Sequence, residues 1–383
     1  MSRPLRVALV SPLPPPQGGI ARWTRMIEGA AQDVDAVDLV VVDIALRGRS
    51  IHQTSLFRRV VAGAVQIARS SWSLGWEMVR RRPDVVHVNT SGHLGTVRDL
   101  VLLQMSRAFG VPFVYHIRFG RVPQIAAGCR REWRLMRRVV ERAAAVVVLD
   151  ERTERAIRMY ADHGLLLRIP NCVDTSTLPE PADHETPRKR VLFAGWVIPA
   201  KGVEELLSAW SGIDTSGWEL VVAGPCESGY LRRIRPLADG HAVSFPGELA
   251  GQDLLELMAR CEVFVLPSHS EGFPNAILEA MALGRAVVAT DVGAVADMLG
   301  DGCGVVVPPR EPDRLAAALA AVMGDPACRV RLGERARAKA AGEYALPVVF
   351  GRYEGLWRWV SRTDGSASAE TGARSAVTPD AAG

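Results

Sequence analysis

Short β-branched runs alternate with longer amphipathic stretches from one end of the chain to the other. This alternation constrains the fold more than any other feature of the sequence. Strands are expected over 5–10, 39–43, 85–88, 113–116, 145–149 and 166–169, with helical patterns between them at 54–81, 96–109, 130–143 and 151–161. After 171–188, a stretch with three prolines and several acidic residues that reads as a linker, the alternation restarts with 191–194, 220–223, 242–245, 263–266, 286–290 and 304–307. Strand–helix alternation at this spacing means right-handed crossovers and parallel sheets covered on both faces. The fold class is therefore α/β, with two doubly wound, Rossmann-like domains facing across a central cleft. The expected boundaries are an N-terminal domain over 1–170, a linker over 171–189 and a C-terminal domain over 190–345. An aromatic-rich helix over 346–361 returns to the first domain, and a small-residue tail over 362–383 stays disordered.

The composition agrees. With 383 residues, 48% hydrophobic and 23% charged, the chain can bury two cores and is neither a disordered nor a disulfide-scaffold sequence. Apolar runs such as 143–149 are too short to span a bilayer, and MSRPLRVALVSPLPPP lacks the apolar core of a signal peptide. A cytoplasmic protein is expected. Six cysteines at wide spacing form no zinc framework and read as small buried thiols.

Charge is divided unevenly. Residues 1–185 hold 26 Arg, no Lys and 18 Asp plus Glu, a formal +8, whereas 186–383 carry −4. Arginine pairs bidentately with phosphate, so the first half suggests anionic partners. No zinc-finger or aromatic-basic signature points to nucleic acid. Two basic amphipathic segments, 56–79 and 130–142, leave two readings open: helices packed on the sheet with a charged outer face, or helices lying against an anionic membrane surface.

Three segments carry chemistry. The loop SPLPPPQGG follows the first strand and places Gly18 and Gly19 at a helix start, where backbone amides can approach an anion. A simple turn is the competing reading, and no dinucleotide fingerprint is present. The segment PSHSEGFPNAILEAMAL follows a strand and opens a helix near Asn275, with Glu271 and Glu279 eight apart. One carboxylate then lies on the loop and the other about a turn into the helix, and carboxylates suit paired sugar hydroxyls. After the third strand, Asn89, Thr90, Ser91 and His93 form a polar loop suited to an acceptor, although turn capping explains Asn, Thr and Ser equally well. Asp33-Val34-Asp35 has the spacing of a metal-binding pair but sits in a polar turn and reads as solvated. His163 and His184 read as surface residues.

The Glu271…Glu279 element resembles the hallmark of the GT-B retaining glycosyltransferases of family 4, the glycosyl transferases group 1. PNCVD (170–174), Lys201-Gly202, LVVAGP (220–225), VSFPGEL (243–249) and AVVATDVGAVADML (286–299) are similar to further family segments. The resemblance covers nearly everything from residue 5 to about 359 and is most specific in the second half.

The resemblance implies that Glu279 holds the nucleotide ribose and that Glu271 sits at the donor sugar. The backbone of Gly272, Phe273, Asn275 and Ala276 would lie near sugar hydroxyls or phosphate. Lys201 would neutralise the diphosphate, with Gly195 beside it and Gly18 and Gly19 approaching the same group. Two departures stand out. Trp196 follows Gly195 where the family commonly has arginine. YHIRFG (115–120) replaces a pattern resembling H-x-H-G, leaving His116 or Arg118 in the place of the family histidine.

The implied activity is transfer of a sugar from a nucleoside diphosphate donor, with retention, to a bacterial glycan acceptor, either lipid-linked on a polyprenyl diphosphate or soluble. Neither metal nor other cofactor is expected. A catalytically weak nucleotide-sugar-binding partner of another transferase is the alternative.

Overall fold

The computed structural model describes residues 3–15, 18–45, 56–92, 95–180 and 189–362, without side chains for 56–62 and 130. Two compact units divide it, one running to Asn171 and taking in the C-terminal helix from Leu346, the other running from Cys172 to Ala345.

The first unit is built in the order β1 (Leu5–Ser11), α1 (Gly19–Gln32), β2 (Val37–Asp43), α2 (Leu56–Arg80), β3 (Val85–Thr90), α3 (Gly95–Ala108) and β4 (Phe113–Ile117). It continues through α4 (Val122–Gly128), α5 (Arg130–Val140), β5 (Ala145–Val148), α6 (Glu151–Tyr160) and β6 (Leu166–Arg168). Its six strands are all parallel, in the order β2-β1-β3-β4-β5-β6. Strands buried on both faces favour apolar residues: Ala145–Val148 is apolar throughout, whereas Val85–Thr90, also buried at every position, carries His87, Asn89 and Thr90.

The second unit contains β7 (Lys189–Ala194), α7 (Val203–Ser211), β8 (Trp218–Ala223), α8 (Ser228–Ile234), β9 (Val243–Gly247), α9 (Gly251–Ala259) and β10 (Val263–Leu266). After these come α10 (Asn275–Ala282), β11 (Ala286–Thr290), α11 (Val295–Leu299), β12 (Val305–Val307), α12 (Pro312–Gly324) and α13 (Pro326–Lys339). Its parallel sheet runs β12-β11-β10-β7-β8-β9. The chain then enters α14 (Leu346–Arg362), which packs on α1, β1 and β3 of the first unit.

Several expectations change. Residues 171–173 are not linker-like: Asn171, Cys172 and Val173 are buried, and the Val173 amide donates to the Tyr344 carbonyl at 2.9 Å. Helix α4 was not expected from VPQIAAG. Of the six thiols, only Cys172, Cys261 and Cys303 are buried; Cys129 is exposed, and Cys226 and Cys328 are partly exposed. His163 is not a bare surface group: its Nε2 lies 3.0 Å from the Ala143 carbonyl and its Nδ1 accepts from the Leu165 amide at 3.1 Å. Asp33 and Asp35 are exposed in the turn after α1. His184, the later part of the linker, residues 54–55 of the second helix and residues 363–383 of the tail lie outside the described residues.

Strand order fixes where ligands can approach. In an open parallel sheet, they bind beyond the carboxyl ends of strands at the point where the strand order reverses. That point lies between β1 and β3 in the first unit and between β7 and β10 in the second.

Candidate functional site

The loops after β7 and β10 carry Lys201 and Glu271, so the switch point of the second sheet coincides with the most informative motif of the sequence. Lys201 ends a short 3₁₀ turn (Pro199–Lys201), and its Nζ lies 2.5 Å from Glu271 Oε1. Ser268 Oγ donates to the same oxygen at 2.6 Å, and the Ser268 carbonyl accepts from Thr290 Oγ1 at 2.5 Å. The His269 amide bonds the Ala200 carbonyl at 2.9 Å, stitching the two loops together.

Two glycines make this interlock possible. Gly202 has φ +69, and a Cβ there would fall 2.0 Å from the Pro267 carbonyl oxygen. Gly293, φ +55, sits 2.4 Å by the same construction from the Gly272 oxygen, while the Ala294 amide bonds that oxygen at 2.9 Å. Both need the left-handed region and both exclude a side chain. Lys201 and Glu271 are therefore placed by three loops that cannot move independently.

Downstream, α10 opens at Asn275 and Ala276, where the positive end of the helix dipole is concentrated. Glu279 is buried in its second turn. Phe273 is buried edge-on against Tyr344, with ring centroids 5.8 Å apart, so its ring serves packing and only its backbone can face a ligand. Gly195 follows β7 with its amide on the Ala223 carbonyl, and the Trp196 side chain next to it is half exposed.

In the first unit, Gly18 is extended (φ −162) at the start of α1, and a Cβ there would meet nothing within 4 Å. Packing does not require glycine at this position. The polar residues of β3 behave differently from expectation. Asn89 and Thr90 belong to the strand, not to a loop, and are buried, whereas Ser91 is exposed and His93 lies outside the described residues.

Asn89 Nδ2 donates to Ser11 Oγ at 2.7 Å, Ser11 Oγ lies 2.5 Å from Thr24 Oγ1, and Thr24 Oγ1 donates to the Ile20 carbonyl at 2.9 Å. Because Thr24 has only one hydrogen, Ser11 must donate to it, and the chain runs one way from β3 into the first turn of α1. Asn89 anchors the glycine loop from behind. A buried Arg98–Asp99 pair at 2.6 Å, which the sequence did not single out, holds the same strand end, with Arg98 Nη2 donating to the Asn89 carbonyl at 3.1 Å.

His116 and Arg118 lie at the end of β4. Arg118 is buried, its guanidinium 4.0 Å above the Trp23 ring and bonded to Asn171 Oδ1. His116 Nδ1 faces His87 Nε2 at 3.1 Å, and Trp357 Nε1 donates to His87 Nδ1 at 2.9 Å. Burial, with the cationic Arg118 nearby, pushes His87 down to about 3 and holds His116 well below the usual imidazole range, so both rings are neutral. An indole can only donate, which leaves the His87 proton on Nε2 and hence the His116 proton on its own Nε2. That nitrogen is buried with no hydrogen-bond partner among the described residues.

Two parallel, doubly wound sheets with the strongest polar constellation at the second switch point define the GT-B class of glycosyltransferases. A model for a glycosyl transferase 4-like domain matches residues 5–172, and one for glycosyl transferases group 1 matches 188–325. The chain belongs to the glycosyl transferases group 1 family and is a glycosyltransferase of that type.

Among similar proteins, the alpha-D-kanosaminyltransferase of Streptomyces kanamyceticus is 29% identical over 283 residues, covering 66% of this chain and 72% of that protein. Sucrose-phosphate synthase from Thermosynechococcus elongatus shares the fold with a TM-score of 0.76 at 20% identity, over 93% of this chain and 99% of that one. Anabaena HepE, solved with UDP and glucose, has a TM-score of 0.69 at 18% identity, over 91% and 98%.

Proposed function

We propose that this chain transfers a sugar from a nucleoside diphosphate donor, with retention at the anomeric carbon, to a hydroxyl of a growing bacterial glycan carried on a polyprenyl diphosphate. Exopolysaccharide or O-antigen assembly is the setting this reading favours. The observation that carries it is the Lys201–Glu271 pair, locked at the switch point of the second sheet one loop ahead of Glu279.

An ammonium has three N–H donors and Glu271 takes one, so Lys201 can also donate to phosphate oxygens and stabilise the diphosphate as it leaves. The start of α10 adds its dipole to the same charge. Glu279 takes the ribose hydroxyls, and Glu271 with the backbone of Gly272 and Phe273 takes those of the donor sugar. In the first unit, Gly18 and Gly19 offer backbone to phosphate, His116 offers its Nε2–H to an oxygen, and Ser91 belongs to the acceptor side. Arg118 serves this end of β4 through Trp23 and Asn171. With Lys201 meeting the leaving charge, the reading needs no metal ion, and turnover should survive a chelator.

HepE is a protein solved with UDP and glucose, which makes UDP-sugars the first donors to try here. Turnover is followed by mass spectrometry with UDP-, GDP- and ADP-sugars, and the product anomer by NMR. Product with inverted configuration would overturn the retaining mechanism. A second reading, a nucleotide-sugar-binding partner with little turnover, draws support from Trp196 at the position where the family commonly has arginine. It predicts donor affinity without product.

A further inference from the structure

Helix α2 separates the two readings of its sequence. Its inner face, Ser70, Leu74 and Met78, is buried against the sheet. A helix that merely covers a sheet would be charged on the other side. Instead, Val65 (53% exposed), Trp72 (78%), Trp76 (56%) and Val79 (67%) line the outer face at spacings of seven, four and three. Arg69 and Arg80 flank this stripe, both exposed, and Arg81 and Arg82 follow it.

The stripe is not isolated. Helix α3 packs against both α2 and α5, so the three form one layer on one side of the first sheet. Outer Val97 and Val101 of α3 extend the apolar surface, and α5 adds exposed Arg134, Arg137 and Arg138. Arg137 is bonded to Glu141, and Glu77 on α2 lies beside Arg81; the single acidic residue of α3, Asp99, is buried with Arg98.

We infer that the α2–α3–α5 layer is a docking surface for an anionic lipid bilayer, with Trp72 and Trp76 seated at headgroup depth and the arginines on lipid phosphates. Charge selects this occupant. Indole rings combine an apolar body with a donor suited to the membrane–water boundary, and arginine pairs with phosphate oxygens. A second copy of the chain would bring the same arginines against each other. The inference rests on the transferase reading in one respect only: a polyprenyl-linked acceptor would bring the enzyme to such a surface.

The test is flotation of the full chain with vesicles of phosphatidylglycerol and phosphatidylcholine, and with phosphatidylcholine alone. Trp72→Ser/Trp76→Ser and Arg69→Ala/Arg80→Ala are compared with wild type. These positions are exposed, so melting temperatures should be unchanged. The expected result is binding to the anionic vesicles that high salt weakens and that the tryptophan pair loses by about tenfold or more. The arginine pair should weaken binding and flatten its salt dependence.

Equal flotation of wild type and the tryptophan variant would overturn the inference, as would no flotation at all. A concentration-dependent dimer that the tryptophan variant abolishes, with no vesicle binding, would assign the face to a second copy and also overturn it. Turnover on a water-soluble acceptor without vesicles is measured alongside. It should be unaffected by Trp72→Ser/Trp76→Ser, so failure of the surface and failure of the transferase reading are told apart.

Discussion

Trp357 on the last helix donates its indole N–H to Nδ1 of His87 at 2.9 Å, across 270 positions of sequence. This bond sets the proton positions of two neutral imidazoles in series, because His87 then has only Nε2–H to give to His116. The C-terminal helix thereby decides which nitrogen at the end of β4 carries hydrogen.

Trp357→Phe keeps an aromatic side chain but removes the donor together with the pyrrole ring that carries it. A buried acceptor left without its partner costs about 1–3 kcal/mol, so the variant should unfold at lower urea. Nitrogen-15 NMR of the histidine rings should show His87 and His116 as Nε2–H tautomers in wild type and a mixture in the variant. Unchanged tautomers would break the link between α14 and His116.

The same cluster sets a pH dependence. In the unfolded chain, both histidines titrate near 6.5. In the folded chain, burial and then Arg118 hold His87 near 3, and the same two causes depress His116. The unfolded chain therefore binds more protons as pH drops below about 6.5. Stability is fully present above that value and is lost progressively towards about 3. From about pH 7.5 to about pH 5, the loss should be about 2 kcal/mol for His87, with His116 adding in the same direction, read by urea denaturation. Asp99, raised by burial against the pull of Arg98, works in the opposite direction. A His87→Gln/His116→Asn variant should have a flatter profile.

These relationships show where the sequence was legible. The Glu271–Glu279 loop could be read because strand, loop and helix follow one another locally, and the switch point puts that loop where ligands bind. The Trp357–His87 contact could not, since nothing local ties residues 270 apart. Asn89 and Thr90 looked like loop residues because they are polar. The strand end holds them through Ser11 on β1, which accepts from the Asn89 side chain, and through the Gly92 amide, which donates to Thr90 Oγ1, and a single sequence does not reveal these partners. Tryptophans in 56–79 were visible, but their outward orientation was not.

Glycine substitutions separate scaffold from ligand contact. Gly202→Ala forces a Cβ onto the Pro267 carbonyl in a left-handed backbone and should destabilise the second unit by about 2 kcal/mol or more. Gly18→Ala has open space and an extended backbone, so its melting temperature should stay within about a degree of wild type. Its affinity for a sugar nucleotide should nevertheless fall. Calorimetry with and without donor measures both.

Removing the ammonium tests the leaving-group role. Lys201→Met should lower kcat by about a hundredfold or more while KM for donor changes less, as when a transition-state charge loses its donor. Glu271→Gln keeps the hydrogen bonds of a similar shape and should be milder in stability than in turnover. An unchanged kcat in Lys201→Met would remove lysine from the chemistry.

The most direct measurement is thermal stabilisation by UDP-, GDP- and ADP-sugars of wild type and Glu279→Gln, since a ligand that binds only the folded state must raise its melting temperature. The account predicts a shift with one nucleotide class that Glu279→Gln, a near-isosteric change at a buried position, largely abolishes. A shift that Glu279→Gln leaves intact, or none with any sugar nucleotide, would contradict it.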